Sequence, residues 1–328
     1  MFPSTGVDKT IDRRLSFALD CRPQRIHIHA HMKAQPECIV CLFKQALNTA
    51  LVVTGNQSAH REILLRLAGE IPRMKKDISP AALSQPVYRI TTEVTGIPDP
   101  FERQKRETNR IALEMLPGLR RLLARETDPL DAAIHAAAAG NIIDLGIGHA
   151  FDIRRDVLKI MRQPFAISAV RQFKRDLGPG RAMLYLGDNA GEIVFDTLLV
   201  EEIMKTGTSV VYAVKSAPII NDATMEDAEV SGMTKLTMVI ETGSDDIGVN
   251  LANSSREFRK VFRAADIVLA KGHGNFETCD DLPGNIYSLL KAKCDVVARE
   301  LGVKLGDIVF KKKRTTAIQS RSGRRQHG

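Results

Sequence analysis

The second half of the chain alternates short apolar segments with segments whose apolar residues recur every three or four positions. Five apolar segments are interpreted as buried strands, at residues 183–186, 209–214, 236–240, 267–270 and 307–310. Amphipathic helices are expected between most of them, as at residues 192–205 and 255–264. Strands that alternate with helices favour a parallel sheet with helices on its faces. This pattern predicts an α/β core over residues 179–310.

The first half of the chain has a different pattern, because helical spacing dominates residues 36–175. Prolines stand near the expected starts of four helices, where proline is tolerated: Pro36, Pro80, Pro100 and Pro129. We therefore predict an α/β protein in which a helical N-terminal half, residues 35–178, packs on a C-terminal core with a mainly parallel sheet and flanking helices. Residues 1–34 are expected to form a flexible extension, and Met32 is an alternative start of the natural chain.

The net charge of +8 comes mainly from the ends of the chain. Residues 311–328 carry seven basic residues and no acidic residue, so we expect a basic disordered tail with at most weak attraction to nucleic acid. The absence of tryptophan and the presence of only four tyrosines argue against a stacking platform for single-stranded nucleic acid. No apolar run approaches the roughly 18 residues of a membrane span, so a cytoplasmic location without a membrane partner is expected.

The five cysteines do not suggest a disulfide framework, since their number is odd and the chain has no secretory pattern. Cys38 and Cys41 form a C-x-x-C pair within a helical pattern, and no second such pair occurs. Buried structural thiols and a metal or redox role both remain open for this pair.

Polar side chains follow four of the predicted strands. Asp188 and Asn189 follow the first strand, Asn221 and Asp222 follow the second, residues 242–246 follow the third, and residues 271–277 follow the fourth. The carboxyl ends of parallel strands meet at one edge of a sheet, which is where ligands bind in such folds. Two carboxylates and an amide there suit Mg²⁺ or Mn²⁺ and leave room for phosphate and water. A polar strand-to-helix turn without a ligand is the alternative.

Further residues are candidates for binding the ligand. Asn141 and Asp144 stand three positions apart after an alanine-rich helix and can meet the sheet edge. The backbone amides of Gly191 and Glu192 open a helix, where phosphate is favoured, and Lys271 can neutralise negative charge.

The order of the motifs resembles one family, the damage-control phosphatases, which are also described as acidic-residue-methyltransferase-like. The resemblance covers residues 35–310 and rests on an ordered set: Cys38-x-x-Cys41, Gly140-Asn-Ile-Ile-Asp144, Gly187-Asp-Asn-Ala-Gly-Glu192, Asn221-Asp-Ala-Thr224 and Lys271-Gly-His-Gly-Asn-Phe-Glu277. The C-x-x-C pair resembles the mostly prokaryotic branch of that family.

The resemblance implies a phosphatase that acts on small phosphorylated metabolites and uses Mg²⁺, Mn²⁺, Co²⁺ or Ni²⁺. It places the metal ligands at Asp188, Asn189 and Asp222. The substrate-binding loop then corresponds to residues 273–277, including His273, Asn275 and Glu277, and the phosphate-binding lysine to Lys291, with Lys293 as a close alternative. His273 is a departure, because this branch more often has glutamine at that position.

Mechanistically, we expect metal-activated water to attack a phosphomonoester in line. A covalent phosphoaspartate, as in haloacid-dehalogenase phosphatases, is disfavoured, because Ala190 stands where a second aspartate would be required. The enzymatic alternative is an adenosylmethionine-dependent carboxyl methyltransferase, suggested by the glycines at residues 146 and 148, which lack a third glycine and a preceding strand. The non-enzymatic alternative is a polyanion-binding protein that uses the basic tail.

Overall fold

The computed structural model describes residues 32–75, 77–140 and 153–313, and the fold is given for these residues. They form thirteen α-helices: α1 (Pro36–Val53), α2 (Gln57–Glu70), α3 (Pro80–Thr95), α4 (Glu102–Leu123), α5 (Pro129–Gly140), α6 (Ile153–Met161), α7 (Val170–Asp176), α8 (Glu192–Lys205), α9 (Met225–Ser231), α10 (Met233–Leu236), α11 (Arg256–Ala264), α12 (Gly272–Cys279) and α13 (Asp295–Leu301). They also form seven strands: β1 (Ile167–Ser168), β2 (Ala182–Leu186), β3 (Ser209–Val214), β4 (Met238–Glu241), β5 (Ile267–Lys271), β6 (Ile286–Lys291) and β7 (Ile308–Lys312).

The predicted fold class is confirmed. All seven strands form one sheet in the order β1-β7-β6-β5-β2-β3-β4. Every neighbouring pair is parallel except β6 and β7, which are antiparallel. The chain order reverses at β2, which lies between β3 and β5, and ligand sites in open α/β sheets form beside such a reversal.

Helices α1 to α3 form a small bundle with its own apolar core, which includes Leu42, Ala46, Ile63, Leu67 and Val87. Proline is the first residue of α1, α3 and α5, as predicted. The bundle contacts the α/β core through α12, which packs against α3. This contact joins the bundle to the core at the helix that follows β5, whereas α4 and α5 of the helical half pack against α8.

Helix α1 is the one helix of the described residues that is long and apolar enough to cross a membrane, with a mean hydropathy of 1.3. The expectation from sequence that no segment approaches the length of a membrane span is therefore wrong for this helix. A helix of this kind also occurs in water-soluble proteins, and α1 buries Leu42, Ala46 and Ala50 in the bundle.

One predicted strand starts two residues later than expected, and strands β1 and β6 were not predicted. The strand expected at residues 236–240 begins at Met238, because Leu236 ends a short helical turn and the Thr237 amide donates to the Met233 carbonyl, 3.0 Å away. Strand β6 follows Pro283 and Gly284, and its continuous buried run has no alternation that would identify it as a strand.

The last strand extends beyond the predicted core boundary at residue 310. Lys311 and Lys312 pair with Ser288 and Tyr287 in the sheet, so these two lysines belong to the core. The rest of the predicted basic tail from residue 314 and the predicted extension up to residue 31 lie outside the described residues.

Candidate active site

The loops that follow β2 and β3 are joined by their backbones. The amide of Ala190 donates to the carbonyl of Asn221, and the amide of Ala223 donates to the carbonyl of Asp188, both over 2.8 Å. Asn189 and Asp222 form an isolated antiparallel bridge between these bonds. The structure therefore brings Asp188, Asn189 and Asp222 to one place at the carboxyl edge of the sheet.

The side chain of Asn189 has a defined orientation. Its Nδ2 donates to Oε1 of Glu192 over 2.7 Å and to Oδ2 of Asp188 over 3.2 Å. The Glu192 carboxylate, which is paired with Lys271, accepts this hydrogen bond, so the amide nitrogen of Asn189 faces it. The remaining Oδ1 of Asn189 is then the atom that can bind a cation.

Negative charge is concentrated here. The pKa of Asp188 is raised well above its ordinary range, first by burial and then by the charges of Glu192 and Asp222. The charges of Lys293 and Lys271 act in the opposite direction. Asp222 is buried, and its Oδ2 lies 3.7 Å from Nζ of Lys215. A divalent cation would relieve the repulsion that raises the pKa of Asp188, so the donor set fits such an ion.

Lys271 does not lie where the sequence predicted. Its ammonium is 1% exposed and donates to Asp196 over 2.8 Å and to Glu192 over 3.0 Å, so it holds carboxylates beneath the site instead of contacting phosphate. Tyr212 completes the network by donating to Asp196 over 2.8 Å. Burying one cation between two carboxylates satisfies charges that would otherwise be costly in the interior.

The predicted phosphate contact of the Gly191 amide is also corrected. This amide donates to Oδ1 of Asn109 over 2.6 Å and is therefore already bonded. Asn109, on α4, was missed by sequence reasoning, because nothing in the charged segment around it distinguishes it from a surface residue. The side chain of Glu192 is fully buried and bonded to Asn189 and Lys271, which places it beneath the ligand position.

Residues 273–277, predicted as a substrate-binding loop, belong to helix α12. Asn275 is buried and its Nδ2 donates to the carbonyls of Gly187 and Lys271, over 3.0 and 2.8 Å. It fixes the ends of β2 and β5 instead of presenting that amide nitrogen to a substrate. Gly272 has a φ of 78° and lies directly against the carboxylate of Asp188.

His273 joins α12 to the end of β6. Its Nε2 lies 2.7 Å from the Lys291 carbonyl oxygen and 3.0 Å from the Lys293 amide nitrogen, and the ring tautomer decides which of the two is bonded. Burial lowers the pKa of His273 to about 4, so the ring is neutral near pH 7. The predicted substrate contact cannot involve Nε2 while this arrangement persists.

Glu277 is buried against the helical half and accepts a hydrogen bond from the backbone of Ala81, in the first turn of α3. Burial raises its pKa to about 8. Glu277 thus lies at the N-terminus of α3, where a carboxylate is favoured. In this position its side chain caps a helix, whereas the sequence predicted that it contacts the substrate.

The two candidate lysines differ in position. Lys291 is the last residue of β6, whereas Lys293 is exposed beyond the strand. The charge of Lys293 lowers the pKa of Asp188 and contributes to the low pKa of His273. The charge of Lys293 therefore reaches the site.

The C-x-x-C pair lies near the start of α1, and Cys294 caps α13 by accepting from the Val297 amide. Burial raises the pKa of Cys38 and of Cys294, and the charge of Glu277 raises both further. Within the described residues, no three His, Cys, Asp or Glu side chains are arranged to hold a metal ion. The proposed cation site therefore needs the amide oxygen of Asn189 in addition to the carboxylates of Asp188 and Asp222.

Asn141 and Asp144 lie outside the described residues, as does the glycine pair of the methyltransferase alternative. The last residue before them, Gly140, lies beside Glu192, since a Cβ atom on Gly140 would be 3.2 Å from the Glu192 Cα. Helix α5 thus ends next to the site.

A family model described as the damage-control phosphatase ARMT1-like domain matches residues 34–309. The chain belongs to the damage-control phosphatase family. A damage-control phosphatase of Pyrococcus horikoshii is 34% identical over 282 residues, covering 85% of this chain and 97% of that one. A damage-control phosphatase of Archaeoglobus fulgidus is 33% identical over 291 residues, covering 85% and 99%.

An uncharacterised protein of Methanocaldococcus jannaschii is 35% identical over 296 residues, covering 86% of this chain and 96% of that one. The crystal structure of a DUF89 family protein from Pyrococcus horikoshii matches with a TM-score of 0.80 and 33% identity, covering 87% of this chain and all of that one. The family model covers both the helical half and the α/β core of this protein.

Proposed function

We propose that this protein is a metal-dependent phosphatase that hydrolyses phosphomonoesters of small metabolites, such as sugar phosphates or damaged phosphometabolites, in the cytoplasm. Membership of the damage-control phosphatase family supports phosphatase activity in general. The observation that carries the metal dependence is the adjacency of Asp188, Asn189 and Asp222 at the edge of the sheet, with the Oδ1 of Asn189 left available for a cation.

The chemistry of these donors favours a hard cation. Two carboxylates and one carboxamide oxygen suit Mg²⁺ or Mn²⁺, and Co²⁺ or Ni²⁺ are further candidates. When bound, the ion would supply Lewis-acid activation of the phosphoryl group and of water.

The chain's own residues hold this donor set in place. Glu192, fixed by Lys271, orients the amide of Asn189. Gly272 packs against Asp188, and Lys215 lies beside Asp222. Lys293 places positive charge on the exposed side, where it would favour an incoming phosphate.

Hydrolysis of para-nitrophenyl phosphate by metal-stripped protein tests the proposal, with Mg²⁺, Mn²⁺, Co²⁺ or Ni²⁺ restored singly. Asp188→Asn removes the charge of one donor at nearly constant shape. Asp266→Asn is the control, because the Asp266 carboxylate also accepts a hydrogen bond, here from the Ala182 amide, but lies at the amino end of β5.

We expect turnover that requires a metal, falls about 100-fold or more in Asp188→Asn, and is largely kept in Asp266→Asn. Turnover that needs no metal, or that survives Asp188→Asn, would contradict the proposal. A folded protein that is inactive with every metal would shift the weight to the methyltransferase or polyanion-binding alternatives.

A further inference from the structure

Asn109 on α4 makes two hydrogen bonds that cross from the helical half to the α/β core. Its Oδ1 accepts from the Gly191 amide over 2.6 Å, and its Nδ2 donates to Oδ1 of Asp227 over 2.7 Å. The side chain is 3% exposed, so both bonds are shielded from water.

One partner of Asn109, Gly191, belongs to the loop after β2, and the other, Asp227, lies in α9 and is bonded to the end of the loop after β3. Gly191 follows Asn189 by two residues in the loop after β2. Asp227 caps the start of α9, because its Oδ2 accepts from both the amide and the hydroxyl of Thr224, over 2.8 and 2.9 Å. Thr224 follows Asp222 by two residues in the loop after β3. Asn109 therefore bonds directly to the loop after β2 and is linked through Asp227 to the loop after β3.

The chemistry of the position requires an amide. The Gly191 amide can only donate and the Asp227 carboxylate, when ionised, can only accept, so a residue between them must offer one acceptor and one donor in fixed directions. Aspartate would place a second carboxylate against Asp227, and alanine would leave the Gly191 amide without this partner.

The surrounding contacts make this junction tight. A Cβ atom on Gly191, whose φ is 79°, would lie 3.0 Å from the Cβ of Thr108, so α4 packs directly against the loop. Lys105, one turn earlier on α4, lies 2.7 Å from Asp99 and 3.9 Å from Asp227 and balances the local charge.

We propose that Asn109 is a positioning residue that holds the loops after β2 and β3 in register, and through them the Asp188, Asn189 and Asp222 donors. The expected effect of Asn109 on metal binding rests on the proposed function. The coupling of the two loops rests only on the hydrogen bonds of Asn109. It makes α4 of the helical half a structural part of the cation site.

The test compares Asn109→Asp with Asn285→Asp. Asn285 also donates from Nδ2 to a carboxylate, Asp176, over 2.8 Å, with Lys312 nearby, but it precedes β6 at the opposite edge of the sheet. Each variant replaces an amide–carboxylate hydrogen bond by two facing carboxylates. The readouts are hydrogen–deuterium exchange of the full-length protein without metal and Mn²⁺ binding by calorimetry.

We expect both variants to lose thermal stability, but only Asn109→Asp to accelerate exchange in peptides covering residues 187–193 and 219–227. We also expect the Mn²⁺ dissociation constant to rise about tenfold in Asn109→Asp and less than twofold in Asn285→Asp. If Asn109→Asp does not fold, Asn109→Ala removes both bonds without adding charge and takes its place.

The proposal would be overturned if a folded Asn109 variant had wild-type hydrogen exchange at both loops and wild-type affinity for Mn²⁺. If the wild-type protein binds no Mn²⁺ and hydrolyses no phosphomonoester, the proposed function fails. The exchange comparison then decides by itself whether Asn109 couples the two loops.

Discussion

A Cβ atom on Gly272 would lie 1.8 Å from Oδ2 of Asp188. The backbone of Gly272 thus occupies the space directly against a proposed metal ligand, and its φ of 78° is in the region that favours glycine. The first residue of α12 therefore limits where the Asp188 carboxylate can lie.

Gly272→Ala should displace Asp188 and lower metal-dependent phosphatase activity by about 100-fold, because small displacements of catalytic groups have effects of that size. Steady-state kinetics with saturating metal checks this. Gly232→Ala is the matched control, since Gly232 has a similar φ of 81° and a Cβ atom there would meet no heavy atom within 4 Å. Equal activity in the two variants would show that the contact with Asp188 does not matter.

Lys271→Met should reduce the free energy of unfolding by about 3–5 kcal/mol, because it leaves Glu192 and Asp196 buried without their shared cation. Burial lowers the pKa of Lys271, but the charges of Asp196 and Glu192 raise it by more, so the ammonium stays charged at neutral pH. Urea unfolding measures the loss. Lys205→Met, which breaks an exposed pair with Glu202, should cost less than about 1 kcal/mol. A similar cost for both lysines would contradict the prediction.

Glu277→Gln should stabilise the protein at pH 8 and have little effect at pH 5. Burial raises the pKa of Glu277 from 4.5 to about 8 in the folded protein. Between these values the unfolded chain binds fewer protons than the folded one, so the free energy of unfolding of the wild type falls as pH rises. Glutamine keeps an oxygen for the Ala81 amide and does not titrate.

The difference between Glu277→Gln and the wild type should therefore grow to about 4 kcal/mol at pH 8, as expected for a pKa raised from 4.5 to about 8. Denaturant unfolding at pH 5, 6, 7 and 8 tests it. A difference that is constant over this range would mean that Glu277 is charged in the folded protein.

Lys293→Met should lower kcat/KM for a phosphomonoester by about tenfold, because the charge of Lys293 acts on Asp188 at the exposed side of the site. Lys291→Met is the comparison variant, because the family resemblance places the phosphate-binding lysine at Lys291. Kinetics of both variants, with circular dichroism to confirm folding, discriminates between them. A larger loss in Lys291→Met than in Lys293→Met would support Lys291, the lysine that the family resemblance implies.

Much of the architecture could be predicted from the sequence, because apolar periodicity reports which face of an element is buried. The strand at residues 209–214 and the helix at residues 192–205 have the predicted bounds. Strand β6 was missed because its buried run, which includes Ser288, gives no alternation that separates a strand from a buried helix. The short strand β1 has only two residues and depends on its pairing with β7.

For the site, the sequence by itself determined which residue types follow each strand, and this was sufficient to expect Asp188, Asn189 and Asp222 at one edge. The parallel order of strands places their carboxyl ends together, so a local pattern has a predictable tertiary consequence.

Only the tertiary structure decided what each polar group does. Lys271 and Asn275 were expected to face a ligand, yet the fold buries them and uses their donors to hold Glu192, Asp196 and the strand ends. Asn109 carries no local pattern, since its two partners lie 82 and 118 residues away along the chain. Local periodicity records burial, whereas the pairing of buried polar groups depends on which distant donors and acceptors the fold brings within hydrogen-bond distance.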